Sequence, residues 1–152
     1  MAAITQPGRR WSSERGAELL ELAIALPILM LIIGGVVDFA IMFQRYEVVT
    51  NAAREGARVA VLPDFATADI QNRVNSYLAA SGLTDVAPAP LVAYTSEATP
   101  GGPSIDVVTV TVQYPHQFLL LTPLAALVGG GPHANIMLKA ASTMRLEIAA
   151  GP

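Results

Sequence analysis

Few residues in this chain combine the type and the neighbours that chemistry requires. His116 and His133 are the only histidines. Each follows a proline and neither has an acid at a patterned distance, so they read as solvated loop histidines, not as metal ligands. Ser12, Ser13 and Ser142 lack the glycine frame of a nucleophile elbow. The sequence has no cysteine, which removes thiolate ligands, cysteine nucleophiles and disulfides together. Gly129-Gly130-Gly131 lacks the spacing and following lysine of a phosphate loop and reads as a hinge. No catalytic site, cofactor, metal or small-molecule substrate is expected.

One junction does point to chemistry: Arg15-Gly16-Ala17-Glu18-Leu19-Leu20-Glu21. Gly16 stands between a basic leader (Arg9, Arg10, Arg15) and a hydrophobic run. Glycine has no side chain to obstruct a protease at the Gly16–Ala17 bond, and it should interrupt the helix before the run. Glu21 opens the apolar run, where an ionised carboxylate is expensive: about 2.5–3.5 kcal/mol at a helix centre, less near an end. A plainer reading makes Glu18 and Glu21 helix-start acids favoured by the macrodipole. That reading accounts for the acids but not for the glycine with its basic leader.

The element that positions this junction is the run itself. Leu22 to Val37 holds sixteen residues without a charge, Asp38 interrupts, and the apolar pattern resumes to Phe43. Those 22 residues, as a helix, would span about 33 Å, enough for a hydrocarbon core of about 30 Å. A cleaved secretory signal would be shorter, with a small-x-small site close behind; a core helix would rarely be so long and apolar. Pro27 should kink the helix. Gly34-Gly35 reads equally as a close-approach patch for another helix or as a flexible spot. Three arginines precede the run, and Arg45, Arg54 and Arg58 follow it, the last two over ten residues beyond its end; the expectation on positive-inside counting is a cytoplasmic N-terminus.

Composition agrees. Of 152 residues, 53% are hydrophobic and 14% charged, with a formal net charge of −3 and mean hydropathy of +0.48. The length suits one domain, the apolar content excludes a disordered chain, and the lack of a basic cluster argues against a nucleic-acid partner. Residues 1–16 carry a net +2 and residues 17–152 a net −5.

The stretch from Arg15 to about Leu62 resembles the TadE-like pseudopilins of tight-adherence (Flp, type IVb-like) pilus systems. The resemblance rests on Gly16 and Glu21 at the junction, Pro27 in the apolar helix, the acid–aromatic pair Asp38-Phe39, and the segment Asn51-Ala-Ala-Arg54-Glu55-Gly56-Ala-Arg58. It implies cleavage between Gly16 and Ala17 by a prepilin peptidase. It further implies that Glu21 pairs with the new α-amino group of a neighbouring subunit, and that the partners are other pilins and the assembly platform in a bacterial inner membrane.

The remaining elements follow from periodicity. Past Phe43 the helix continues with Tyr46, Val49, Ala53, Ala57 and Ala60 on one face and Glu47, Asn51, Arg54, Glu55 and Arg58 on the other, until Pro63 stops it. A second helix is predicted over about Thr67 to Ala80, capped by Thr67 and ended by Gly82, with Ile70, Val74, Tyr77 and Leu78 as its apolar face. Leu91–Thr95 is a short strand; Ser104–Tyr114 and Ile136–Glu147 alternate as longer ones. Between them, the apolar segment Phe118–Val128 reads as a connection folded onto the sheet, or as a subunit contact or lipid-interface patch.

The expectation is an α+β, pilin-like fold. It has a leader (residues 1–16), a transmembrane helix (17–44) and an extracytoplasmic domain (45–152) in which the outer half of the helix packs on a small antiparallel sheet. The resemblance implies a minor pseudopilin or pilus assembly protein. The alternative is a single-pass, membrane-anchored binding or sensor domain that keeps its leader.

Overall fold

Helix α1 runs from Trp11 to Ala60 without a break, and five shorter elements follow it: α2 (Thr67–Ala80), β1 (Leu91–Glu97), β2 (Ile105–His116), α3 (Leu121–Leu127) and β3 (Ile136–Arg145). This computed structural model describes residues 11–85, 87–127 and 136–146. Arg9, Arg10, the triple glycine at 129–131, His133 and Glu147 lie outside the described residues. The fold is α+β, as its sequence pattern requires.

The expected interruption of α1 at Gly16 does not occur. The helix passes through Gly16 and through Pro27. One glycine costs a helix about 1 kcal/mol relative to alanine, too little to end it between good helix formers. Pro27 removes a single donor, which the turns on either side absorb. The helix ends at Ala60, just ahead of Pro63.

Helix α2 occupies the expected residues, with a different cap. Ala66, not Thr67, takes the N-cap position, and the Asp69 carboxylate accepts the Ala66 N–H at 3.0 Å. An acid three residues into a helix reaches back to the cap backbone more readily than a threonine inside the first turn. At the other end Gly82 adopts φ 81°, its N–H reaching Ala79 O while the Leu83 N–H reaches Leu78 O at 2.9 Å. This is a Schellman closure, with Leu83 and Leu78 both in the core.

The three strands form an antiparallel sheet in the order β1-β2-β3. Val110 lies opposite Val92 on one side and Ser142 on the other. Strand β2 ends two residues later than its alternation suggested, running through Pro115 to His116, which pairs with Ile136. His116 is therefore no solvated loop residue: it is 1% exposed.

The chain forms two compact units: α1 as far as Asp38 with the segment from Leu119 to His133, and Phe39–Phe118 with the chain from Ala134 onward. In the second unit the core joins Val49, Ala52, Ala53, Ala57 and Ala60 of α1 to Ile70, Val74 and Leu78 of α2 and to Val108, Val110, Val112 and Tyr114 of β2. Tyr46, expected on this face, is exposed, and Ala52 takes a place in the core. The expected face assumed one covering layer. Here α2 and β2 both approach α1, so two adjacent rows of small residues turn inward.

Gly56 is where both layers come closest. A Cβ added there would stand 2.6 Å from Val74 Cγ2 and 3.0 Å from Val110 Cγ1. At the sheet end, the Tyr114 hydroxyl donates to Asp85 Oδ2 at 2.9 Å and accepts the Asp85 N–H at 3.2 Å. Burial pushes this hydroxyl's pKa above its ordinary value, so it stays a donor. Thr109 and Thr143 bridge their hydroxyls at 2.8 Å across the sheet, in an exposed position.

Gly56→Ala is expected to destabilise the folded domain by about 1–2 kcal/mol, because overpacking two stiff valines outweighs the gain in helix propensity. Denaturant unfolding of the purified chain, followed by near-UV circular dichroism, checks this. An Ala53→Asp variant, burying an unpaired carboxylate, should lose about 3 kcal/mol or more.

Candidate functional site

The junction residues sit on α1 as an open surface. Ala17, Glu18 and Glu21 are exposed, and a Cβ at Gly16 would meet nothing within 4 Å. Among the described residues, no packing demands glycine at position 16. Among the described residues Glu21 has no ion-pair partner, so any partner that compensates it must come from elsewhere. Beyond it the large side chains of the run face outward: Leu22 is 57% exposed, and Ile24, Leu29, Ile32, Val36 and Phe43 are likewise exposed. The helix from Gly16 onward is long and apolar enough to cross a membrane, by length and composition.

Two positions of the run break this pattern, Gly34 and Asp38, both buried. They lie four residues apart, one above the other on the same helix face. Helix α3 covers them. Asp38 Oδ1 accepts the N–H groups of Leu119 at 3.0 Å and Leu120 at 3.1 Å; Oδ2 accepts those of Leu120 at 2.9 Å and Leu121 at 2.6 Å. The carboxylate thus serves as the missing N-cap of α3, contributed from another helix. Charge-assisted bonds to backbone donors at a positive helix end are the strongest compensation a buried carboxylate can find without a cation.

Gly34 and Gly35 make the approach possible. A Cβ at Gly34 would come within 2.7 Å of Leu124 Cδ1 and 3.4 Å of Leu120 Cβ, and one at Gly35 within 3.7 Å of Leu121 Cδ2. Of the two readings of the glycine pair, close approach is the one realised, and the approaching helix belongs to the same chain. This also corrects the reading of the apolar segment 118–128 as a connection folded onto the sheet. Its helix packs on α1, because an uncapped turn of leucines and a lone acid in an apolar run each supply what the other lacks.

The segment Asn51–Arg58 divides by function. Gly56, with Ala52, Ala53 and Ala57, forms the buried stripe, while the polar members face out. Glu55 accepts from Arg73 of α2 through Nε at 3.0 Å and Nη2 at 2.7 Å. Arg54 Nη1 donates to Asn51 Oδ1 at 3.4 Å, and Arg58 is exposed. Of these, Glu55 joins α1 to α2, while Asn51 and Arg54 line an open groove with Phe43, Tyr46, Glu47 and Thr50.

The aromatic half of the Asp38-Phe39 pair is also engaged. The Phe39 and Phe118 rings lie 6.2 Å apart and tilted, and the His116 ring meets Phe118 edge-on at 5.2 Å. Arg45 Nη1 donates to His116 Nδ1 across a long 3.4 Å. Sequence reasoning missed this cluster and the Asp38 cap. The signal for the cap was present: α3 opens with leucines, none of which can cap a helix, so its donors must be met from elsewhere. Among the described residues, no three histidine, aspartate or glutamate side chains converge to hold a metal ion.

Residues 16–58 match the family model described as TadE-like protein. The match begins at the junction glycine and ends at the last arginine of the Asn51–Arg58 segment, within the stretch on which the resemblance was read. No curated protein and no solved structure matches the chain.

Asp38→Ala should strip the donors of Leu119, Leu120 and Leu121 of their acceptor, at about 1–3 kcal/mol for a buried unsatisfied group. The expected outcome is a selective loss of hydrogen-exchange protection at those three amides in the detergent-solubilised chain, with α2 and β2 protection unchanged. Asp38→Asn, which keeps one acceptor oxygen, should fall between the two.

Proposed function

We propose, from the match of residues 16–58 to TadE-like proteins, that this chain is a membrane-anchored minor pseudopilin, or pilus assembly protein, of a tight-adherence pilus system. Residues 1–16 act as its leader, residues 17–44 cross the bacterial inner membrane with the N-terminus in the cytoplasm, and residues 45–152 form the extracytoplasmic domain. A prepilin peptidase removes the leader between Gly16 and Ala17. Other pilins and the assembly platform are its partners. The carrying observation is that the match starts at a glycine that nothing among the described residues packs against, ahead of a helix whose large apolar side chains are exposed.

Glu21 has its role on the same reading. Cleavage frees the α-amino group of Ala17, which is largely protonated at neutral pH. An exposed carboxylate at the start of the apolar run, unpaired within the described residues, suits that amine on a neighbouring subunit. In a low-dielectric site such a pair is worth more than in water.

Intact mass of the membrane-extracted protein tests processing. The expected species begins at Ala17, and a Gly16 variant with a bulky side chain should accumulate uncleaved. An uncleaved, functional wild type would instead identify a permanently anchored binding or sensor domain. For Glu21, crosslinking on membranes is the measurement: Glu21→Leu should remain in the membrane fraction but fail to crosslink with other pilins. Normal crosslinking would demote the residue to a helix-start acid.

A further inference from the structure

We infer that α3 is itself a membrane element: it lies within the acyl chains of the outer leaflet, alongside α1, as a short re-entrant helix. The inference rests on the reading of α1 as a transmembrane helix and adds a second lipid-embedded segment to it.

Position along α1 is the first argument. The side chains of α3 meet α1 at Gly34 and Gly35, and its first turn meets Asp38. With the apolar run ending at Phe43, a rise of about 1.5 Å per residue puts Asp38 about 7 Å and Gly34 about 13 Å inside that end. Half of a hydrocarbon core is about 15 Å. A span that buries Ile32, Val36 and Phe39 in lipid therefore takes α3 with it, since those exposed side chains flank the face α3 covers.

The second argument is polar bookkeeping. Backbone donors at acyl-chain depth must be satisfied by protein, because no water is there to do so. Helix N-termini are the usual violation, with several free N–H groups. In α3 much of that end is answered from within: Leu119, Leu120 and Leu121 donate to Asp38, Pro123 has no N–H, and Leu124 donates to Leu120 O.

The third argument is composition. Phe118 to Val128 contains no charged residue, and its exposed side chains include Leu119 just before α3, 67% exposed, and Pro123 and Ala126 within it. The occupant that fits an uncharged surface continuous with an uncovered transmembrane helix is lipid.

The chain has no cysteine, so single-cysteine variants of the full-length protein can each carry one environment-sensitive nitrobenzoxadiazole probe. Leu119→Cys and Ala126→Cys report on α3, Leu29→Cys on the anchoring helix and Ala79→Cys on the exposed side of α2. After reconstitution into phosphatidylcholine–phosphatidylglycerol vesicles, lipids with a nitroxide high on the acyl chain should quench the probes at 119, 126 and 29. Aqueous iodide should quench only the probe at 79. Iodide quenching at 119 and 126 with lipid quenching at 29 would overturn the inference and leave the anchor standing. Iodide quenching at 29 would remove the anchor and the inference together. Shielding of 119 and 126 from both quenchers would mean that protein, such as a second copy, covers α3, and would overturn it as well.

Discussion

A carboxylate set into an apolar helix needs donors, and the sequence around Asp38 supplies none. The nearest charged side chains along α1 are seven and nine residues away, and the flanking residues are apolar. The chain meets the requirement with the backbone of a segment 81 to 83 positions further on. That demand accounts for the placement of Leu119, Leu120 and Leu121 at the start of α3. The connection does not close as a tight hairpin but runs out as α3 to reach Asp38. The glycines at 34 and 35, which look like an unstable spot in a helix, are what allow the leucines of α3 to settle there.

A second constraint shapes the other unit. Two layers, α2 and β2, must reach the same stretch of α1, and they do so only because that stretch is built from alanine and glycine on its inner side. Large residues stay on the partners: Ile70, Val74, Val110 and Tyr114. This division of sizes lets a three-stranded sheet and one short helix enclose a continuous core with little material. The ion pair between Glu55 and Arg73, partly exposed at 22% and 56%, sits at the edge of that contact. Exposed pairs of this kind contribute little stability, so its value lies in fixing how α1 and α2 meet.

These constraints separate residues that the fold explains from residues that it does not within the matched segment. Gly56 and Asp38 are held by contacts inside the chain, which is sufficient reason for their chemistry. Gly16 and Glu21 are not: glycine meets no neighbour and the glutamate has no ion-pair partner among the described residues. Residues whose type the fold does not explain are where a function involving other molecules is sought, and both lie at one end of the helix the chain leaves uncovered.

Much of this was legible in local pattern. A run of apolar residues long enough for a membrane is a property of consecutive positions, as is the alternation in β2 and β3 that places Val108, Val110, Val112 and Tyr114 on one face. The Gly82 stop of α2 and the Gly16–Glu21 spacing are equally local. Each depends on a period or a short-range rule, so the sequence by itself determined them. What it did not determine is which distant surfaces meet. That Tyr46 turns outward while Ala52 turns in depends on two layers converging on α1. That His116 is buried depends on β2 extending through a proline. That Asp38 caps α3 depends on a contact between segments some eighty residues apart, with no periodicity to announce it. Tertiary structure decided these because the free energy of a buried charge or a close helix approach belongs to both partners at once, and neither partner's local sequence contains the other.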